Sequence, residues 1–371
     1  MTPIEQRLTD ALAEMSSHVT NESLTAVIAR RDRVATPVRR RLIIAAAAAG
    51  GVALALVPPI AARYRSTRPA ATRDPAVDGP AYFVALDWGT QKTGLYDSTS
   101  GKLMTTIEWP GGKEITAVAR IGDSGRFIAA GDPSDCGSEL REITVTEDGP
   151  GLVATVGPMM VGLPGRTSSM AATAAGALAA LVTCQPTDPA GHSAFTAVAL
   201  LPDVAAPNQL TVWTVPSNEQ IYDQGDTGLA LSPDGRQVAF LAALPEAGLY
   251  VLETGKADGG LTAARLVHPD KDGEPRLHLP HFLDADTLLV GTEGAKSGRD
   301  DAADYTLAKL SVSTGQLVPY LDMPARGWEG MAIDDTRRHV ILRIGGRILR
   351  IDDGRLRTVI RRNASLGLLT W

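Results

Sequence analysis

The clearest pattern along the chain is a short apolar run, a polar turn and a second apolar run, sharpest in LALSPDGRQVAFLAA from Leu229 to Ala243. Ser-Pro-Asp-Gly suits a tight reversal: proline presets φ, aspartate bonds its own backbone, and glycine accepts the left-handed conformation. The segment predicts a hairpin of two largely buried strands. The pattern recurs in ITAVARIGDSGRFIAA with Gly125 at the turn, MAATAAGALAALVTC with Gly176, FLDADTLLVGT with Asp286 and MAIDDTRRHVILRI with Arg337. With Gly235 as reference, successive turns lie 51, 59, 51 and 51 residues apart, and VDGPAYFVALDW sets one more at Gly79, 46 residues before Gly125. GLYDSTSGKLMTTI, GLYVLETG, TLAKLSVSTGQLVPYL and GRILRIDDGRLRTVI each predict two further short strands joined through a glycine-containing turn.

An inner hairpin followed by an outer pair at this spacing is the period of a repeated four-stranded sheet. The hairpins resemble the TolB-like and tryptophan-aspartate-like propeller repeats, in which Ser-Pro-Asp-Gly joins the two inner strands of a blade. The resemblance implies an all-β, six-bladed β-propeller over residues 82–371. The Gly79 turn has no apolar strand before it, whereas ASLGLLTW, Ala364 to Trp371, is an apolar strand with none after it. The C-terminal strand is therefore predicted to complete the first blade, closing the ring and covering its open edges.

Upstream, Leu42 to Ala62 reads LIIAAAAAGGVALALVPPIAA, 21 residues without a charge. At about 1.5 Å per residue a helix of that length covers a ~30 Å hydrocarbon core, so residues 42–62 are expected to form one transmembrane helix. Arg30, Arg31, Arg33, Arg39, Arg40 and Arg41 precede it, against Arg63, Arg65, Arg68 and Arg73 after it, and this bias keeps the N-terminus in the cytoplasm. The rival reading is a signal peptide cleaved near Ile60-Ala61-Ala62. Against it stands a leader, residues 1–41, with its own helical stripe: Ile4, Leu8, Leu12, Met15 and Val19 fall on one face. That face either meets a cytoplasmic partner or belongs to a marginal helix on the membrane surface. Residues 63–81, rich in Pro, Ala and charge, read as a stalk.

A net charge of -6 provides no basic field for nucleic acid, and that partner is not expected. Cys136 and Cys184 both fall on the side expected outside the membrane, where they are expected to form one disulfide, the alternative being two free, semi-buried thiols. GDSG at Gly122 to Gly125 resembles the nucleophile segment of trypsin-like proteases, but the repeat places it at a hairpin turn. HPDKDGEP, His268 to Pro275, with His278 and His281 nearby, carries oxygen and nitrogen donors, yet lacks the offsets of a calcium loop and reads as a polar turn. GAKSGRDDAAD, Gly294 to Asp304, reads as a solvated insertion. Trp88, Trp109, Trp213 and Trp328 are expected to fill gaps between blades, the alternative being that they line a recognition surface. No catalytic set, metal site or cofactor is expected.

The leading functional expectation is a membrane-anchored, extracytoplasmic binding or sensing module. Its partners would be the lipid bilayer, a protein or small ligand on the propeller, and a cytoplasmic regulator at residues 1–40. The organisation looks similar to actinobacterial membrane proteins associated with sigma factors, although the zinc-binding His and Cys signature of anti-sigma factors is absent from that leader. The alternatives are a lactonase- or esterase-type envelope enzyme, whose metal would sit among acids at the channel mouth, and a scaffold for the cell envelope.

Overall fold

The computed structural model describes residues 80–371 apart from 88, 91, 123–124, 135, 149–150, 185–194, 216–219, 222–227, 295–304, 324–326 and 361–365. The helix face at Ile4 to Val19, the apolar span 42–62, the stalk up to Gly79, Trp88 and most of the insertion lie outside the described residues. Among the described residues no helix is long and apolar enough to cross a membrane.

Six antiparallel sheets follow one another around a ring. Blade 1 contains β1 (Tyr82–Asp87), β2 (Lys92–Asp97) and β3 (Leu103–Ile107); blade 2 contains β4 (Ile115–Ile121), β5 (Arg126–Ser134), β6 (Gly137–Asp148) and β7 (Gly151–Leu163). Blade 3 is β8 (Arg166–Ala172), β9 (Leu178–Cys184), β10 (Phe195–Leu201) and β11 (Thr211–Thr214). Blade 4 is β12 (Gln220–Ile221), β13 (Leu229–Leu231), β14 (Gln237–Ala243), β15 (Ala247–Glu253) and β16 (Arg265–Pro269). Blade 5 is β17 (Arg276–Phe282), β18 (Thr287–Glu293), β19 (Tyr305–Ser311) and β20 (Leu317–Asp322). Blade 6 is β21 (Trp328–Ile333), β22 (His339–Ile344), β23 (Arg347–Asp352) and β24 (Arg355–Ile360). The last strand, β25 (Leu366–Thr370), pairs with β1 so that Val84 meets Thr370 and Asp87 meets Leu366. The ring closes as the C-terminal strand pattern predicts.

Because every blade packs on two neighbours, the middle strands are apolar on both faces and read as continuous runs. In β9, Leu178, Ala180 and Val182 join the core shared with blade 2, while Ala179 and Leu181 join the core shared with blade 4. The hydrophobic interior is thus six clusters, one per seam. Trp109 fills the seam between blades 1 and 2, and Trp213 that between blades 3 and 4; both are buried.

The expected pairing within GLYVLETG is corrected: it supplies only β15 and the start of a 3-10 segment, Thr254–Ala263, before β16 begins. The segment exists because Leu261 drops into the seam between blades 3 and 4, where it is buried, and Gly260 at φ +68° lets the chain turn back.

Cys136 and Cys184 form a disulfide that fastens the β5–β6 turn of blade 2 to the end of β9 in blade 3. In the chain-entropy picture, closing a loop of 48 residues contributes about 4 kcal/mol.

Candidate functional site

The inner hairpin turns all open on one face. Gly125, Gly176 and Gly235 occupy their turns at φ +69°, +93° and +71°, and Asp286 lies in the β17–β18 turn of blade 5. In blade 6 the corresponding residue is Arg337, which adopts φ +62° although it carries a side chain. Asp334 braces that turn by accepting the backbone N–H groups of Arg338 and His339 at 3.2 and 3.0 Å.

On this face the ends of all six inner strands surround the mouth of the central channel, a space of about 70 Å³. Its wall is mostly small and apolar, with Ala119, Ala171, Ala172, Ala230 and Ala332, and its polar groups are Arg120, His281, Asp335, Arg337 and Thr370 beside Trp371. Burial pulls the Arg337 guanidinium below its usual range against the opposing pull of Asp335 and Asp334. Burial likewise pushes His281 down to about 4, assisted by the charge of Arg337, so the ring is neutral at pH 7. A bulge in β17 between His278 and His281 turns the latter inward, and the carbonyl of Leu279, itself at φ +50°, accepts from Nδ1 at 3.4 Å. Two of the three non-glycine residues with positive φ among the described residues therefore flank this mouth. Such conformations cost about 1–3 kcal/mol each and persist only where the surroundings hold them.

Trp371, at the end of β25, links the mouth to the place where the chain enters the propeller. Its Nε1 donates to the carbonyl of Pro80 at 3.3 Å, and Arg350 lies over its ring with Cζ 4.9 Å from the centroid. Arg350 also donates to Asp352 at 2.6 Å and to Ser98 Oγ at 2.7 Å; Ser98 in turn donates to Pro80 at 2.7 Å. His339 Nδ1 completes the set, 2.8 Å from Asp352 Oδ1. All five side chains are buried. Sequence reasoning missed this cluster, because its members are spread from Ser98 to Trp371 and meet only when the ring closes.

The other sequence candidates lie elsewhere. Gly122 and Gly125 of GDSG bracket the β4–β5 hairpin turn, as the repeat implies, whereas Asp123 and Ser124 lie outside the described residues. His268 is the penultimate residue of β16, whose end lies on the opposite face, and Asp270 to Pro275 form the turn into β17. Among the described residues no three His, Cys, Asp or Glu side chains are placed to hold a metal ion. Trp328, partly buried, donates from Nε1 to the Thr292 carbonyl at 3.2 Å across the seam between blades 5 and 6.

No family model matches the chain, and no curated protein does. Solved structures do. TolB from Acinetobacter baumannii is similar at a TM-score of 0.51 and 15% identity, over 80% of this chain and 67% of that one. The β-propeller domain of Cps50 (Swd1) from Myceliophteria thermophila gives a TM-score of 0.40 at 12% identity, over 78% of this chain and 86% of that one. What the TolB likeness shows is the fold: residues 80–371 form a six-bladed β-propeller of the TolB type, closed by its C-terminal strand.

Proposed function

We propose that this chain is a membrane-anchored, extracytoplasmic β-propeller that binds a ligand or partner at the turn-face channel mouth and relays occupancy to a regulator at residues 1–40. The observation that carries the reading is Arg337. A guanidinium held in left-handed backbone, partly withdrawn from water, and set beside a neutral, partly buried imidazole serves recognition better than stability. The anchor rests on the uncharged run at 42–62 and its arginine bias. The relay is supported by the hydrogen bond from Trp371, at the mouth, to Pro80, which leads back to the stalk.

The metal-dependent lactonase reading is weaker. It needs several acids converging on the channel, and the described mouth offers Asp335 among five alanines. A binding module of TolB type needs no such set.

Two measurements test the proposal in the full-length chain. Reporters placed after Arg33 and after Thr72 should be active inside and outside the cytoplasm respectively, with the protein in the membrane fraction; release of the propeller without its leader would end the relay model. Hydrogen exchange at 118–121 and 331–335 should slow on adding envelope extract, and Arg337→Gly should abolish that slowing. Equal exchange with and without extract would remove the channel mouth as the binding site.

A further inference from the structure

A second cavity lies on the opposite face, in the seam between blades 4 and 5. It encloses about 230 Å³, and its floor is Leu241, Leu249 and Leu277, all buried. Its rim is charged: Asp270 and Arg276 stand at the two ends of the β16–β17 turn with Oδ2 and Nε 3.6 Å apart, and His268 adjoins them. The His268 Nε2 is buried and makes no hydrogen bond, with Glu274 Oε2 3.6 Å away.

The rim pair is loosely made. Arg276 is 62% exposed and Asp270 35%, and an ion pair of that length in water contributes little, so a ligand that replaces it loses little. One cation and one anion at close range over an apolar floor are complementary to a molecule with the reverse arrangement: a carboxylate for Arg276, an ammonium for Asp270 and a hydrocarbon for the leucines. The volume is that of about eight waters, which matches a free aliphatic α-amino acid. We infer that this cavity is a binding site for a small apolar α-amino acid, separate from the channel mouth.

The sequence draws attention to the segment for a different reason. HPDKDGEP places its acids where calcium ligands would be sought, yet in the fold two of them turn to nitrogen-bearing neighbours, Asp270 toward the Arg276 guanidinium and Glu274 toward the His268 ring. Gly248 lets the β15 and β16 backbones approach closely beside the cavity: a Cβ there would lie 2.4 Å from the His268 carbonyl oxygen. The site therefore depends on the seam between two blades and on a single close strand pair.

The test is calorimetric titration of the full-length chain in detergent with L-leucine, L-leucinamide and N-acetyl-L-leucine. Leucine should bind saturably with a Kd between about 10 μM and 1 mM. Each blocked analogue should bind at least about tenfold more weakly, because one charge-assisted contact is lost. Arg276→Gln and Asp270→Asn should each weaken leucine by a similar factor, whereas Arg337→Gly should leave its binding unchanged. No saturable heat up to 10 mM leucine, about ten times the weakest Kd expected, would overturn the inference. Equal binding of leucine and both analogues would overturn it too, as would full binding by the Arg276→Gln, Asp270→Asn double variant. A loss of leucine binding with Arg337→Gly would place the site at the channel instead and overturn this assignment, while loss of the channel function alone leaves it standing.

Discussion

The inner turns of blades 4 and 6 do the same work with different residues. In blade 4, Ser232 Oγ donates to Asp234 at 2.7 Å, Asp234 accepts the Arg236 N–H at 3.1 Å, and Gly235 takes the left-handed position without cost. In blade 6, Asp334 stands in the place of Ser232 and accepts the His339 N–H at 3.0 Å as the serine Oγ accepts that of Gln237 at 2.9 Å, and Arg337 takes the glycine's place with nearly the same φ. The first turn is optimised for folding, whereas the second gives up some of that to hold a cation over the channel. A repeat that departs from its consensus at one blade marks that blade as the place to look for function.

The largest expected effect breaks the ring beside the blade 6 turn. Trp371→Ala removes a fully buried indole, its bond to Pro80 and its contact with Arg350, and should lower the unfolding free energy in urea by about 3–5 kcal/mol. A loss no greater than that of a surface substitution would mean that closure does not depend on this cluster.

Next in size is acid. The folded-state value of His281, about 4, lies below the unfolded value of about 6.5, so the unfolded chain binds more protons between those limits. Its contribution to stability is fully present above about pH 6.5 and lost as pH falls toward 4, by at most about 3 kcal/mol. His281→Gln should flatten that part of the stability profile, and an unchanged profile would show that the ring is not held neutral.

The smallest effects come from exchanging the two turn residues. Gly235→Arg should cost about 1–2 kcal/mol, because an L-residue must then enter the left-handed region without a reason to be there. Arg337→Gly should cost nothing and raise stability by up to about 1 kcal/mol while removing recognition at the mouth. If Arg337→Gly instead destabilises the protein as much as Gly235→Arg does, Arg337 is a structural residue and the contrast between the blades disappears.

The hairpin repeat made the blades legible because each inner pair is buried on both faces and its turns are short. The unpaired strand at Ala364 to Trp371 made the closure legible for the same reason. The two cysteines pointed to a disulfide without placing them within reach, since only the seam between blades 2 and 3 brings Cys136 to Cys184, with Cα atoms 4.6 Å apart. GLYVLETG misled because strand pattern alone does not reveal that Leu261 is needed in a neighbouring seam. The channel mouth was visible only as the worst of the turns: Arg337 read as a degraded glycine, and nothing local to it announces His281, 56 residues earlier. The cavity between blades 4 and 5 was hidden because its floor and rim come from four strands of two sheets.

The pairing of β25 with β1 also sets the timetable of synthesis. Pro80 and Trp371 lie 291 positions apart, and a ribosome adding about 5–20 residues per second needs on the order of 15–60 s to pass from one to the other. Through that interval blade 1 exists as three strands with an open inner edge, and the blades made after it are already available to pair with that edge or with another chain. A chain lacking β25 would keep that edge open for good. β25 thus separates a closed ring from one whose first blade still offers an edge to any strand that reaches it.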